Sequence, residues 1–505
     1  MLQTYLKRPR TQFYLNPTAN MRFPQLGHQL FTPKNGIEDK KLYDIPELPL
    51  LDAIIDVTKK NLTDLELPDL SKTIIVCVQH ILETTVTLIK ALIKLGIQPE
   101  NIYMTGKCYS NSPIIENILI ELGVHLVESY VPIKPGEFQE TFSEQINELW
   151  NVVIHDLVSK NVDRIIVLDD GGRALESIPN ALRFAYPIAG IEQTRGGLYS
   201  TALDTLPFSL IEVASSATKR QLEAPLVAEV ILNKIKERLG SMPLDENMVC
   251  GVIGNGAIGT AIAKYLLSRG CKVVIYDDNE NAFTKIKNRS FYRLASIRDV
   301  IAGSSYIFGC TGRDITKDID IFSIVKNDKV FISCSSEDTE FLSLLKNVAA
   351  HLKSSKVDPL SDIVYQLDNR TSITIAGGGY PINFDRSPRS VSASKIALTR
   401  GLLLVACIQA IRLAKRPIND GYTINRHTRL CLNIEAQSYV ATAWLFSQRD
   451  QYASEDIECF QDKDWVKNNS GGTYHPDDFM TKCFSTKPIE YLSEQLTTVS
   501  RSAKM

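Results

Sequence analysis

Gly254, Gly256 and Gly259 form a G-x-G-x-x-G set directly after the apolar pair Val252-Ile253. A second apolar stretch, Cys271 to Tyr276, ends at Asp277, 18 residues past Gly259. A strand, a glycine turn, a helix from Thr260 to Ser268, a second strand and an acid make the layout of a dinucleotide-binding βαβ unit. Gly254 permits the tight turn, Gly256 lets the backbone approach a pyrophosphate, and Gly259 lets helix and strand lie close. The phosphates belong on the helix N-terminus, where free N–H groups and the dipole favour negative charge. An acid at Asp277 holds a ribose 2′-hydroxyl and repels a 2′-phosphate, so the expected cofactor is NAD rather than NADP. The alternative is a βαβ unit that keeps its glycines only for packing.

Other residues offer further chemistry. Asp169-Asp170-Gly171-Gly172 closes the apolar strand Arg164 to Leu168, and strand C-terminal ends are where open α/β sheets hold ligands. A turn with a helix cap is the simpler reading of the same four residues. His80 follows the strand Thr73 to Val78 and fits either a ligand-facing or a core histidine. Lys219 and Glu223 stand four apart at a helix start, where an exposed ion pair is worth only about 0.2–0.5 kcal/mol. Arg386 and Arg389 carry the fork that grips phosphate or carboxylate, though a solvated loop accounts for them more simply.

These residues need elements to position them. Buried strands and amphipathic helices alternate from Lys72 onward. The expected class is α/β, with two doubly wound parallel-sheet domains, the second a Rossmann NAD-binding domain, plus a C-terminal extension. The expected boundaries are an arm at 1–70, a substrate-type domain at 71–215 with a return segment at 380–415, the Rossmann domain at 216–379 and the extension at 416–505. A helix from Gln221 to Leu239 connects the domains, and a long helix spans Ser392 to Leu413. Within 505 residues, 44 % apolar and 23 % charged, the net charge of −2 gives no pull toward nucleic acid or anionic membrane. No apolar run reaches the roughly 18 residues of a membrane span, and Gly401 to Ile411 reads as a buried helix. The ten cysteines lack C-x-x-C spacing and read as reduced thiols of a cytoplasmic protein, with no metal site.

Seven segments in order resemble S-adenosylhomocysteine hydrolase. They are Val78-Gln79-His80; Val167-Leu168-Asp169-Asp170-Gly171-Gly172; Gly190-Ile191-Glu192-Gln193-Thr194, similar to a family loop; Val213 to Lys219; the glycine-rich turn; Cys310-Thr311-Gly312; and Ile382-Asn383. The resemblance covers about residues 70 to 410. It implies a substrate domain and a Rossmann domain closing on a hinge, with NAD as a recycled oxidant of a substrate hydroxyl. Lys219 and Glu223 match the lysine and acid that flank this hydroxyl, Asp170 the carboxylate near the substrate ribose, and His80 the first family histidine. Thr194, Gly254, Gly256, Ile258, Gly259, Asp277, Asn281, Thr311 and Asn383 fall at positions that meet NAD. The family's oligomers make a homo-oligomer the expectation.

The departures bear on activity. The threonine and glutamate that grip adenine are Leu82 and Thr84 here, with Glu83 one place out of register. Two downstream histidines are replaced, by Cys334-Ser335-Ser336-Glu337 and by Arg386-Ser387-Pro388-Arg389; the histidine left between 200 and 420 is His351. Lys487 and Tyr491 are the nearest match to a C-terminal lysine and tyrosine. Arg195 replaces a threonine, a change toward anionic ligands. The expectation is therefore an NAD-binding protein that oxidises a nucleoside-like or anionic small molecule, with standard hydrolysis doubtful. The alternative is a catalytically inactive NAD-binding regulator of the same fold.

Overall fold

Two strands show why a parallel sheet forms. Thr73–Val78 (β1) and Arg164–Asp169 (β4) are buried at every position, the mark of strands covered on both faces. In this computed structural model the described residues are 43–61, 68–238, 248–283, 291–351, 358–368, 371–414, 429–448, 451–452 and 454–485. Lys487, Tyr491 and most of the expected N-terminal arm lie outside them. The architecture below belongs to the unit that begins at Pro46.

The first sheet adds Ile102–Thr105 (β2), His125–Val127 (β3), Ile188–Glu192 (β5), Ser209–Glu212 (β6) and Arg429–Cys431, the last strand in chain order and hence β14. Its order is β14-β6-β5-β4-β1-β2-β3, all parallel. The chain reverses direction of winding between β1 and β4, and a crevice opens at their C-terminal ends, the usual ligand position. Gly190 to Glu192, in a segment similar to a family loop, are strand: a Cβ on Gly190 would lie 2.5 Å from Leu175 Cδ2, so glycine lets β5 lie against the turn after β4.

The second sheet contains Val249–Ile253 (β7), Lys272–Tyr276 (β8), Tyr292–Arg293 (β9), Tyr306–Gly309 (β10), Lys329–Ser333 (β11), Ile363–Gln366 (β12) and Ser372–Ile375 (β13). Its order is β12-β13-β11-β10-β7-β8-β9, with β12 antiparallel and the rest parallel. This is the 3-2-1-4-5-6 Rossmann order with one further strand at the edge. The fold class expected from sequence is the one observed.

Helices cover both sheets: Pro49–Lys60 (α1), Glu83–Leu95 (α2), Phe138–Leu157 (α3), Ala224–Arg238 (α4), Ala257–Ser268 (α5) and Ala393–Leu413 (α6). α6 packs against β4, β5, α1 and α2. It has 21 residues and is apolar enough to cross a membrane, yet 83 % of its apolar window is buried inside the protein. A π-helical turn, Lys219–Glu223, leads into α4. Pro225 lacks the N–H that a regular helix would use there, and such turns recur at functional sites.

Candidate active site

The three glycines act for different reasons. Gly254 has φ +97°, and a Cβ on it would sit 2.9 Å from the Cys310 carbonyl. A Cβ on Gly259 would lie 1.8 Å from Gly254 O. Both serve the close approach of α5 to the strands. A Cβ on Gly256 would meet nothing within 4 Å. Gly256 is also the N-cap of α5, and no side chain caps the helix. Open space thus lies in front of free helical N–H groups, which fits a pyrophosphate.

Gly256, Ala257 and Ile258 line a cavity of about 820 Å³. Thr194, Thr311 and Asn383 line it too. Gly254 and Gly259 stand behind its wall. Asp277 follows β8, and its carboxylate accepts from Asn255 N at 2.5 Å and Asn279 N at 2.8 Å. Asn281 lies in the adjacent 3₁₀ turn, outside the cavity lining.

One buried acid organises the Thr311 loop. Glu340 accepts from Thr311 N (2.9 Å), Thr311 Oγ1 (2.8 Å), Gly312 N (2.8 Å) and Ser335 Oγ (2.6 Å). Burial raises its pKa, against the pull of these donors. Glu340→Ala takes the acceptor from four part-buried donors at once, and together they cost roughly 1–3 kcal/mol. The expected result is a loss of that order in denaturant unfolding together with weaker NAD binding. Unchanged unfolding and unchanged NAD affinity would contradict the role.

On the first sheet, Asp170 is the centre of the site. Its carboxylate contacts Lys107 Nζ at 2.7 Å and His80 Nε2 at 3.3 Å, and accepts from Gln193 Nε2. Burial alone would raise Asp170, but Lys107 and then His80 outweigh it and hold the carboxyl well below the usual range. Burial would likewise lower Lys107, but Asp170 leads the groups that keep it above the ordinary lysine range. His80 is lowered, chiefly by burial, and is therefore neutral near pH 7. Its Nε2 faces Asp170 at 3.3 Å and its Nδ1 lies 2.6 Å from Ser110 Oγ. Phe384 stacks on the ring at 4.1 Å. His80 and Asp170 line the cavity while Ser110 lies behind them, which makes Ser110 an orienting group.

Asp169, one residue before, points elsewhere and caps Leu175 N at 2.9 Å. It pairs in register with Glu192 on β5. Burial raises Asp169 to about 7 and, with Asp169 beside it, raises Glu192 well above its ordinary value. A raised folded-state pKa means stability that is full below the unfolded value and is lost as pH rises through the folded one. The advantage of native protein over Asp169→Asn is therefore expected to decline between about pH 4 and 7 and to level off above. Melting temperatures of both proteins across this range test it; a pH-independent difference would contradict it.

Lys219 Nζ lies 2.5 Å from Glu223 Oε2, and Thr399 Oγ1 donates to Glu223 Oε1 at 2.8 Å. Both members of the pair line the cavity. Their side chains are 16 % and 14 % exposed, so this is not the solvated surface pair that spacing alone allows. Glu83 is buried and held by Arg389, through Nε at 2.6 Å and Nη2 at 3.0 Å. Arg389 thus grips a carboxylate of the protein itself, and Arg386 lies against Asp358 at 3.4 Å on the surface. His351 is exposed and bonds its own helix at Asn347 O.

Three residues were not visible in the sequence: Lys107, Glu340 and Arg400. Arg400 lines the cavity and is discussed below. A lone arginine beside the apolar run of α6 was its only signal; the other two had none, because their partners lie 63 and about 29 residues away.

Comparison with known proteins bears on the cofactor side. Residues 249–361 match the family profile of the NAD-binding domain of 6-phosphogluconate dehydrogenase. A protein of Mycobacterium tuberculosis, titled an uncharacterized protein (MT0113 in strain CDC 1551 / Oshkosh and Rv0104 in strain H37Rv), is 27 % identical over 367 residues, covering 72 % of this chain and 68 % of its own. Among solved structures, an NADPH-dependent glyoxylate/hydroxypyruvate reductase from Sinorhizobium meliloti is 13 % identical with a TM-score of 0.33, over 51 % of this chain and 87 % of that one. An NAD+-bound 3-phosphoglycerate dehydrogenase from Entamoeba histolytica is 12 % identical with a TM-score of 0.28, over 52 % and 72 %. With the Rossmann strand order, the glycine geometry and the profile match together, residues 249–361 are an NAD-binding Rossmann domain and the cofactor is NAD.

Proposed function

We propose that the chain uses NAD bound at Gly254–Gly259 to oxidise a hydroxyl of a small molecule, nucleoside-like or anionic, held beside Lys219, Glu223, Asp170 and His80. The observation that carries this reading is that Gly256 and Ile258 line the same cavity as these four residues. The bound cofactor supplies the hydride acceptor. The protein supplies the proton path. Lys219 Nζ is placed to pass a proton to Glu223 Oε2 and then to take the substrate hydroxyl proton. Thr399 keeps Glu223 in line. Asp170, held ionised by Lys107, offers an acceptor to a second substrate hydroxyl. His80 is held between Ser110 and Asp170 and lines that end of the cavity.

The further steps of adenosylhomocysteine hydrolysis are outside this proposal. The segment expected to replace one catalytic histidine supplies Arg389, which is committed to Glu83, and the other supplies Cys334 to Glu337. The test is to load purified protein with NAD and follow NADH absorbance on adding adenosine or a panel of short hydroxy acids. Formation of bound NADH is expected. Stoichiometric NAD that no member of the panel reduces would overturn the proposal in favour of a regulatory role.

A further inference from the structure

Arg400 is a buried cation whose contacts do not neutralise it. It is 4 % exposed and lines the cavity. Its three hydrogen bonds among the described residues go to neutral oxygens: Nε to Thr84 Oγ1 (3.2 Å), Nη1 to Gln79 Oε1 (3.2 Å) and Nη2 to Thr85 Oγ1 (2.9 Å). A guanidinium has five N–H donors, so two remain. Taking such a charge out of water without a counter-charge costs several kcal/mol. Burial draws Arg400 down to about 10, while Asp170 and Glu223 pull it back up from a distance.

Neither of those acids pairs with it among the described residues. Asp170 is bound to Lys107, His80 and Gln193. Glu223 is bound to Lys219 and Thr399. The charge of the whole cavity points the same way. Six basic and five acidic side chains line it. Arg389–Glu83, Lys219–Glu223 and Arg173–Glu176 cancel in pairs, and Lys107 cancels Asp170. Arg195, Arg220 and Arg400 are then left against Glu337 alone. A cofactor pyrophosphate draws on part of this excess; a further anion fits the rest.

We propose that the substrate of this cavity carries a carboxylate, and that Arg400 is the residue that binds it. The planar fork of arginine matches the two oxygens of a carboxylate, which a lysine does not. The position is telling. Thr84 and Thr85, in the first turn of α2, present the hydroxyls that hold the arginine in place at the cavity wall. This inference rests on reading the cavity as a substrate site and adds the class of substrate.

The experiment titrates malonate, and separately inorganic phosphate, into the protein with and without NAD, by calorimetry. Native protein, Arg400→Lys and Arg400→Gln are compared. Malonate is expected to bind native protein and to weaken at least about tenfold in both variants, the loss of one charge-assisted bidentate contact, while NAD affinity is unchanged. Arg400→Lys retains the charge in the buried position, and the native titration needs no variant. No malonate binding to native protein, or binding indifferent to both variants, would overturn the proposal. Phosphate binding through Arg400 more tightly than malonate would also overturn the carboxylate assignment. Malonate binding that depends on Arg400 in protein that fails to take NAD would leave this proposal standing and sink the oxidation reading instead.

Discussion

Gly256→Val is expected to weaken NAD binding by at least about 100-fold, near 3 kcal/mol, with the melting temperature little changed. The reason is the difference between the glycines of one turn. At Gly254 and Gly259 a Cβ would collide with backbone at 2.9 Å and 1.8 Å, so substitution there damages the fold first. At Gly256 a Cβ enters empty space in front of the uncapped N-terminus of α5. That space is what a pyrophosphate would occupy, and the branched valine side chain would fill it. Calorimetric titration with NAD and a thermal melt of the same sample separate the two effects. A Gly256→Val protein that binds NAD as native protein does would mean that the phosphates lie elsewhere. A variant that fails to fold would mean the open space is needed for packing.

Lys219→Ala is expected to slow formation of bound NADH by about 10²- to 10⁴-fold, the usual contribution of a positioned acid or base, with NAD affinity retained. Lys219 touches Glu223 at 2.5 Å in the π-helical turn and faces the cavity, while the turn at Gly256 belongs to the other sheet. The two functions are therefore separable. The removal of a partner from Glu223 leaves that acid bonded to Thr399, so the local fold has a second support. A stopped-flow trace on NAD-loaded protein decides the matter. NADH formation at the native rate would remove Lys219 from the chemistry; loss of NAD itself would make it a cofactor contact.

Much of this was legible in the sequence, for a physical reason. The glycine turn, the strand before it and the acid at Asp277 are neighbours along the chain, so spacing alone encodes their geometry. His80 and Asp170 stand just past β1 and β4, and the parallel sheets follow from alternating strands and helices. What spacing could not encode is contact between distant segments. Lys107 meets Asp170 across 63 residues, Arg389 meets Glu83 across 306, and Arg400 meets Gln79 across 321. Arg389 fitted a solvated loop best and instead holds Glu83, the residue that fell out of register with the family pattern. Arg400 sat at the edge of an apolar helix, where periodicity describes the core and says nothing of a single charge. Gly190 resembles the start of a family loop yet lies in a strand, where its missing side chain yields room to Leu175. Arg429–Cys431, from the segment expected to be an extension, completes the edge of the first sheet beside β6.

The most direct test of an NAD site opening on the Lys219, Asp170 and His80 cluster is to denature the purified protein, identify any released nucleotide by mass, and titrate the emptied, refolded or freshly purified chain with NAD. Stoichiometric NAD, either carried through purification or taken up on titration in preference to NADP, is the expected result. A protein that carries no dinucleotide and binds none would contradict the reading built on Gly254 to Asp277.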